Sequence, residues 1–150
     1  REIFPALTVE ENLMVGRLGS GKRGKPGRDL PERIFELFPV LKTMLNRRGG
    51  DLSGGQQQQL AMGRALALDP KLLILDEPTE GIQPNVVAEI EHVITSLTQR
   101  GDLSVLLVEQ HVGFALRATD TYYVLESGRI TSTGAGGAGA LHDVRAAMAV

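Results

Sequence analysis

Two short runs in this sequence hold residues of the right type and spacing for phosphate chemistry. The first is Leu52-Ser53-Gly54-Gly55-Gln56, set directly before a helical pattern. The Ser53 hydroxyl suits a phosphate oxygen, and Gly54 and Gly55 let the backbone approach closely. N–H groups left free at a helix start, reinforced by the helix dipole, attract anions. Ser-Gly-Gly by itself is more often an ordinary glycine-rich helix cap; the second run changes that balance. It is Leu72-Leu73-Ile74-Leu75-Asp76-Glu77, beginning sixteen residues after Gln56. Two carboxylates at the carboxyl end of a buried strand sit where open α/β sheets bind ligands. Asp76 could hold Mg²⁺ through a water, since Mg²⁺ keeps several of its waters. Glu77 could then polarise the water that attacks a γ-phosphate. Taken alone, the acidic pair could also be a strand end capping the next turn.

The elements that must position these residues are legible in the apolar pattern. Leu72–Leu75 and Val105–Val108 are short continuous apolar runs, as expected of parallel strands buried on both faces. Between them Pro84 opens a helix with Val86, Val87, Ile90, Val93, Ile94 and Leu97 along one side. Strand, crossover helix and strand make a βαβ unit. Val112–Ala118 predicts a short helix, and Tyr122–Leu125 and Ile130–Thr133 flank the hairpin signal Glu126-Ser127-Gly128-Arg129. Residues 134–140 read as a small-residue linker, before a last helix marked by Leu141, Val144 and Met148.

The first half reads as helical. Thr8 can cap a helix carrying Leu7, Val9, Leu13 and Met14, with Glu10 and Glu11 in its first turn. Gly16–Gly27 is rich in Gly, Lys and Arg and is expected to be flexible. Pro31 starts a second helical stretch through Ile34, Leu37 and Phe38. Leu41, Met44 and Leu45 continue the pattern to Gly49-Gly50. The expected division is a helical part over 1–68, a core over 69–133, and a linker and helix over 134–150.

Composition bounds the function. The chain has 150 residues, 42% apolar and 23% charged, enough for a real core and unlike a disordered chain. With no cysteine, disulfides and Cys-based zinc sites are excluded. Sixteen basic and eighteen acidic residues give a net charge of −2, which argues against a protein-wide basic footprint for nucleic acid. No apolar run approaches the ~18 residues needed to span a bilayer, and no signal-peptide layout is seen. The expectation is a soluble, cytoplasmic chain.

Together, Leu52–Gln56, the helix through Arg64-Ala65-Leu66, Asp69-Pro70 and Leu72–Thr79 resemble the signature motif and Walker B of ABC-type ATPases. The order and spacing match, and the resemblance covers essentially the whole chain. Residues 77–84 and Val108-Glu109-Gln110-His111 look like the ATP-binding subunits of importers for urea and branched-chain amino acids. The urea type looks nearest. The resemblance implies an α/β fold: part of a P-loop NTPase core with a mainly parallel sheet, plus a helical subdomain. It implies ATP and Mg²⁺ bound between two subunits arranged head to tail, a transmembrane permease, and indirectly a substrate-binding protein. It places the subunit on the inner face of the membrane. It assigns Ser53, Gly54, Gly55 and Gln56 to nucleotide binding, Asp76 to the metal, and Glu77 to catalysis. Gly81, Ile82 and Gln83 fall in the D-loop. A soluble ABC ATPase without a permease, an exporter, and an inactive signature-bearing module remain alternatives.

Two positions depart from the family. The D-loop usually has Asp before Pro; here it is Gln83. The switch position, commonly His, falls on Gln110, with His111 one place later. Gln110 is favoured and His111 kept as a candidate; an amide can orient water but does not accept a proton as imidazole does. A phosphate-loop pattern, Gly16-Arg17-Leu18-Gly19-Ser20-Gly21-Lys22, is followed by Arg23 where a hydroxyl is needed, with no strand before it. It is read as chance in a glycine-rich loop. The phosphate loop, the adenine-stacking aromatic and the Q-loop are expected before Arg1, so part of the apolar complement is expected to pack against residues outside this chain. Arg17, Lys22, Arg23, Lys25 and Arg28 read as a solvated loop, Gln57–Gln59 as exposed or packing positions, and Tyr122 and Tyr123 as core or sheet-face residues.

Overall fold

The structure is a computed structural model and describes residues 3–19 and 30–148. Thr8 does start the first helix, α1 (Val9–Gly19). Its Oγ1 accepts from the Glu11 N–H at 3.2 Å, and Glu11 Oε2 accepts from the Thr8 N–H at 2.7 Å. This reciprocal pair satisfies two donors that the helix leaves without partners. The helix continues through Gly16 to Gly19, so the start of the segment expected to be flexible is helical. Residues 20–27 of that expectation lie outside the described residues. Gly16 has a packing reason: a Cβ there would collide with the Arg64 carbonyl oxygen on α4 (Gly54–Ala67). The phosphate-loop pattern therefore begins within α1, so a helix and not a strand precedes it.

The helical stretch after Pro31 is broken where continuity was expected. It forms α2 (Glu32–Leu37), then α3 (Pro39–Lys42), then turns into a 3₁₀ turn at Gly49–Asp51. Pro39 is the cause: the residue before proline is driven from the α region, and Phe38 sits at φ −131°, ψ 72°. The apolar face survives the break. Ile34, Phe35, Phe38 and Leu41 bury with Val9, Leu13, Leu60 and Met62 in the core.

Within this helical half, Asn12 is fully buried. Its Nδ2 donates to the carbonyls of Phe4 (3.0 Å), Leu7 (3.2 Å) and Thr8 (2.9 Å). Its Oδ1 accepts from the Phe4 N–H at 2.8 Å. One amide thus ties the Phe4–Thr8 turn to α1.

The second half opens with β1 (Leu72–Asp76), α5 (Pro84–Gln99) and β2 (Ser104–Val108). β1 and β2 pair in parallel from Leu72↔Ser104 to Asp76↔Val108. Burial on both faces does not hold. Leu73 and Leu75 join the core with Ile90, Val93, Ile94 and Leu97 of α5. On the opposite face Leu72 and Ile74 are 53% and 62% exposed, and Leu106 and Val108 about half exposed. The alternation is that of a ladder covered on one side by the described elements.

After α6 (Val112–Ala118), β3 (Thr121–Glu126) and β4 (Arg129–Ala135) form a separate antiparallel hairpin. Ser127 (φ 49°) and Gly128 (φ 77°) supply the two positive φ angles of a type I′ turn. The expected linker is partly structured: Gly134 and Ala135 belong to β4, and Ala138–Ala140 form a 3₁₀ turn before α7 (Leu141–Met148). Tyr123 is an exposed sheet-face residue. No helix among the described residues is long and apolar enough to cross a membrane.

Replacing Asn12 by Ala empties a fully buried site, removes the acceptor of the Phe4 N–H and takes one donor from each of three carbonyls. The expected cost is about 2–4 kcal/mol of unfolding free energy. Urea or thermal denaturation of Asn12→Ala checks it.

Candidate functional site

α4 begins with a second reciprocal cap. Ser53 Oγ accepts from the Gln56 N–H at 3.3 Å, and Gln56 Oε1 accepts from the Ser53 N–H at 3.0 Å. Ser53 is exposed, and its hydroxyl proton stays available to an incoming acceptor. Gly54 is half-buried at the first helical position, where an N–H has no acceptor within the helix. The dipole of the 14-residue α4 adds partial positive charge at that end.

Gly55 faces inward. A Cβ there would meet Val86 Cγ1 at 2.8 Å, so the glycine is required for contact with α5. Of the other glutamines in the run, Gln57 and Gln59 are tied into the fold. Gln57 donates to the carbonyls of Gly49 and Leu52. Gln59 is buried and donates to Glu89 Oε2 at 2.8 Å, joining α4 to α5.

The acidic pair sits at the carboxyl end of β1. Asp76 is exposed and Glu77 half-buried. Glu77 has φ 44°, a left-handed conformation costly for a non-glycine residue. Its N–H donates to the Val108 carbonyl at 2.9 Å, locking it to the end of β2. Gln110 lies just beyond β2, and its Nε2 donates to Glu77 Oε1 at 2.5 Å. With the amide nitrogen so engaged, the amide oxygen is left as an acceptor. The structure thus brings Glu77 and Gln110 together.

His111 is turned to other partners. Its Nδ1 lies 3.2 Å from Glu91 Oε1 on α5, and Arg117 of α6 reaches the other oxygen of Glu91 at 3.5 Å. In the segment expected as the D-loop, Gly81 takes φ 64°. Gln83 precedes Pro84 as the N-cap of α5 and gives no side-chain cap, whereas an Asp there is a favoured cap. Ile82 packs half-buried against the core.

A cleft of about 320 Å³ opens beside the acids. Asp76, Glu77 and Glu80 line it from the β1 side, and Gln58, Ala61 and Arg64 from α4. Residues 53–56 are not among its lining, and none of the described hydrogen bonds joins them to Asp76 or Glu77. The fold presents two separate candidate patches. Arg64, Thr79 and Glu80 fall in the runs that carry the resemblance, but the sequence assigned them no role; only the folding of α4 beside β1 brings Arg64 and Glu80 to one cleft. For Mg²⁺, Asp76 is an exposed carboxylate beside this polar cleft. It fits a cation whose remaining ligands are water and phosphate oxygens.

Solved structures share the architecture. The ADP conformation of an ATP-binding cassette of an ABC transporter superposes with TM-score 0.75 at 27% identity, over 95% of this chain and 60% of that one. A dimeric post-hydrolysis state of an ATP-binding cassette, bound to ADP and Pi, gives TM-score 0.78 at 23% identity, over 89% and 59%. The fold is that of an ABC ATPase, an α/β arrangement containing part of a P-loop NTPase core. The sequence model of the ABC transporter family matches residues 1–80, and the chain belongs to that family. It is 44% identical over 148 residues to the high-affinity branched-chain amino acid transport ATP-binding protein BraG of Pseudomonas aeruginosa. That match covers 99% of this chain and 58% of the relative, so the chain spans under two thirds of the relative's length.

The Gly55 contact yields a stability test. Gly55→Ala is expected to cost about 1–3 kcal/mol through overpacking. Val86→Ala in the same chain should recover most of that loss. Denaturant midpoints of the single and double variants measure both.

Proposed function

We propose that this chain is part of the ATP-hydrolysing subunit of an importer for branched-chain amino acids. It supplies the signature patch and the hydrolytic acid of ATP sites shared between two subunits. The observation that carries the reading is the Gln110–Glu77 hydrogen bond at the carboxyl ends of β1 and β2. The separation of that pair from the Ser53 cap supports a head-to-tail dimer. In it, each nucleotide contacts the signature of one subunit and the acids of the other.

In this mechanism Ser53 and the α4 N-terminus donate to phosphate oxygens across the interface. Glu77 accepts a proton from water as its oxygen bonds to the γ-phosphorus and the bond to the ADP oxygen breaks. Gln110 orients that water through its amide oxygen while its nitrogen holds Glu77. Mg²⁺, held on the Asp76 side, supplies charge neutralisation to the phosphates. The D-loop residues Gly81, Ile82 and Gln83 lie at the same interface, and His111 is the second candidate for the switch role.

We assign 1–68 to the helical subdomain that receives the permease and 69–133 to the catalytic core, with β4 running on to Ala135 and α7 as the last helix. The subunit works peripherally on the inner face of the membrane, with a permease and indirectly a substrate-binding protein. The similarity to BraG favours branched-chain amino acids over urea as cargo. The sequence holds no Gly-x-x-x-x-Gly-Lys-Ser/Thr run. The 150-residue chain by itself is therefore proposed to lack a phosphate cradle and to bind MgATP weakly.

Two measurements test this. In the assembled ATPase, Glu77→Gln should reduce turnover roughly 100- to 10,000-fold while nucleotide-bound dimers still form. Phosphate release near the wild-type rate would refute Glu77 as the base. Calorimetry of the 150-residue chain with MgATP should show no tight binding; micromolar affinity would overturn the weak-binding proposal.

A further inference from the structure

One carboxylate outside the assigned residues joins the two strand-end loops. Glu109 is half-buried and accepts three hydrogen bonds. Thr79 Oγ1 donates to its Oε1 at 2.5 Å. The backbone N–H groups of Gln110 and His111 donate to its Oε2 at 3.0 and 3.3 Å. Thr79 stands two residues after Glu77 on the loop leaving β1; Gln110 follows Glu109 on the loop leaving β2. We propose that Glu109 is a positioning residue that holds Gln110 against Glu77. The proposal rests on the reading of Glu77 and Gln110 as the hydrolytic pair.

The pattern of bonds argues for a clamp between loops. An acid that merely capped the start of α6 would need only the two local N–H donors, and both are taken by one oxygen. The other oxygen is engaged by a hydroxyl thirty residues away in sequence. An ionised carboxylate suits this task because it accepts on both oxygens and donates nothing. Gln110 itself is exposed, with a long side chain free to rotate and to bond water. One end-on bond to Glu77 is weak restraint for such a side chain. Anchoring its backbone N–H to Glu109, and Glu109 to the Glu77 loop, sets where the amide starts from. Glu77 is independently fixed by its own N–H bond to Val108. The two partners therefore meet across a frame that Glu109 closes.

The test reads the Gln110 amide directly. The 150-residue chain is labelled with nitrogen-15, and the Gln110 side-chain resonances are assigned by their loss in Gln110→Glu. Glu109→Ala should move them to the positions of a free glutamine. Thr79→Val, nearly isosteric, should move them the same way by less, and it carries the test if Glu109→Ala fails to fold. Glu109→Gln should restore them, since its amide oxygen still accepts and the Thr79 hydroxyl can turn to accept from its nitrogen. Unchanged Gln110 resonances in folded Glu109→Ala or, failing that, in Thr79→Val would overturn the proposal. In the assembled ATPase, Glu109→Ala should lower kcat roughly 100-fold, with KM for ATP within about twofold. A changed KM with unaltered kcat would also overturn it. The resonance measurement needs no nucleotide. It can fail while Glu77→Gln still abolishes turnover, and it can succeed if Glu77 proves not to be the base.

Discussion

The in-register parallel pairing of β1 with β2 is the constraint on which the acidic patch depends. Parallel strands end on the same edge, so the loops leaving them emerge side by side. With Asp76 opposite Val108, Glu77 and the Glu109–Gln110 pair leave the ladder at the same level. The Glu77 N–H bond to the Val108 carbonyl extends the ladder by one step. A slip of one residue would turn Leu73 and Leu75 away from α5 and carry Glu77 out of reach of Gln110. Core burial and site geometry therefore select the same register.

α4 is the second organising element, and glycines set how closely its neighbours approach. Gly16 lets α1 lie against the Arg64 backbone. A Cβ on Gly63 would meet Ile34, Leu13 and Leu41 at 3.2 to 3.3 Å, so that glycine sits where α1, α2 and α3 converge. Gly55 opens the contact with Val86 of α5. The same helix presents Ser53 at its start and Arg64 to the cleft near its end. Its position relative to β1 is thus fixed by packing that has nothing to do with ligand. The lack of a side chain at Gly55 is explained by α5 before any phosphate is invoked, while Ser53 stays exposed at the start of α4.

Much of this was legible in sequence because it depends on local chemistry. Thr8 before an acidic first turn, Pro84 before an amphipathic stretch, and Ser127-Gly128 between strands each encode their element within a few residues, whereas the bonds from Glu11 back to Thr8 and from Gln56 back to Ser53 emerge only in the structure. The features that could not be read depend on contacts made across the chain. The exposed face of Leu72, Ile74, Leu106 and Val108 depends on which elements cover the ladder, and an apolar run does not carry that information. The helicity of Gly16–Gly19 reflects the close approach of α4. The break at Phe38 was in principle readable from Pro39, but the helical spacing of Ile34, Phe38 and Leu41 masked it. At the acidic patch, Asp76 and Glu77 stood out as a pair. Glu109 did not, because its partners are a hydroxyl thirty residues distant and two backbone groups.

The backbone at Glu77 bears on why that position holds an acid at all. Three non-glycine residues have positive φ among those described: Asp69, Glu77 and Ser127. Asp69 follows the C-terminus of α4, where short polar residues enter this region most readily, and Ser127 sits in a hairpin turn that requires it. Glu77 has neither excuse, since its longer side chain gains no local bond that compensates a left-handed backbone. Glycine would adopt φ 44° without strain, which for other residues costs roughly 1–2 kcal/mol. The surroundings hold the strain in place: the N–H is bonded to Val108, the carbonyl accepts from Glu80, and Pro78 is buried. Stability alone would favour a glycine at this corner. A carboxylate kept there, aimed at an amide that is itself anchored to the neighbouring loop, is what a site requires when the position of one oxygen matters more than the energy of one residue.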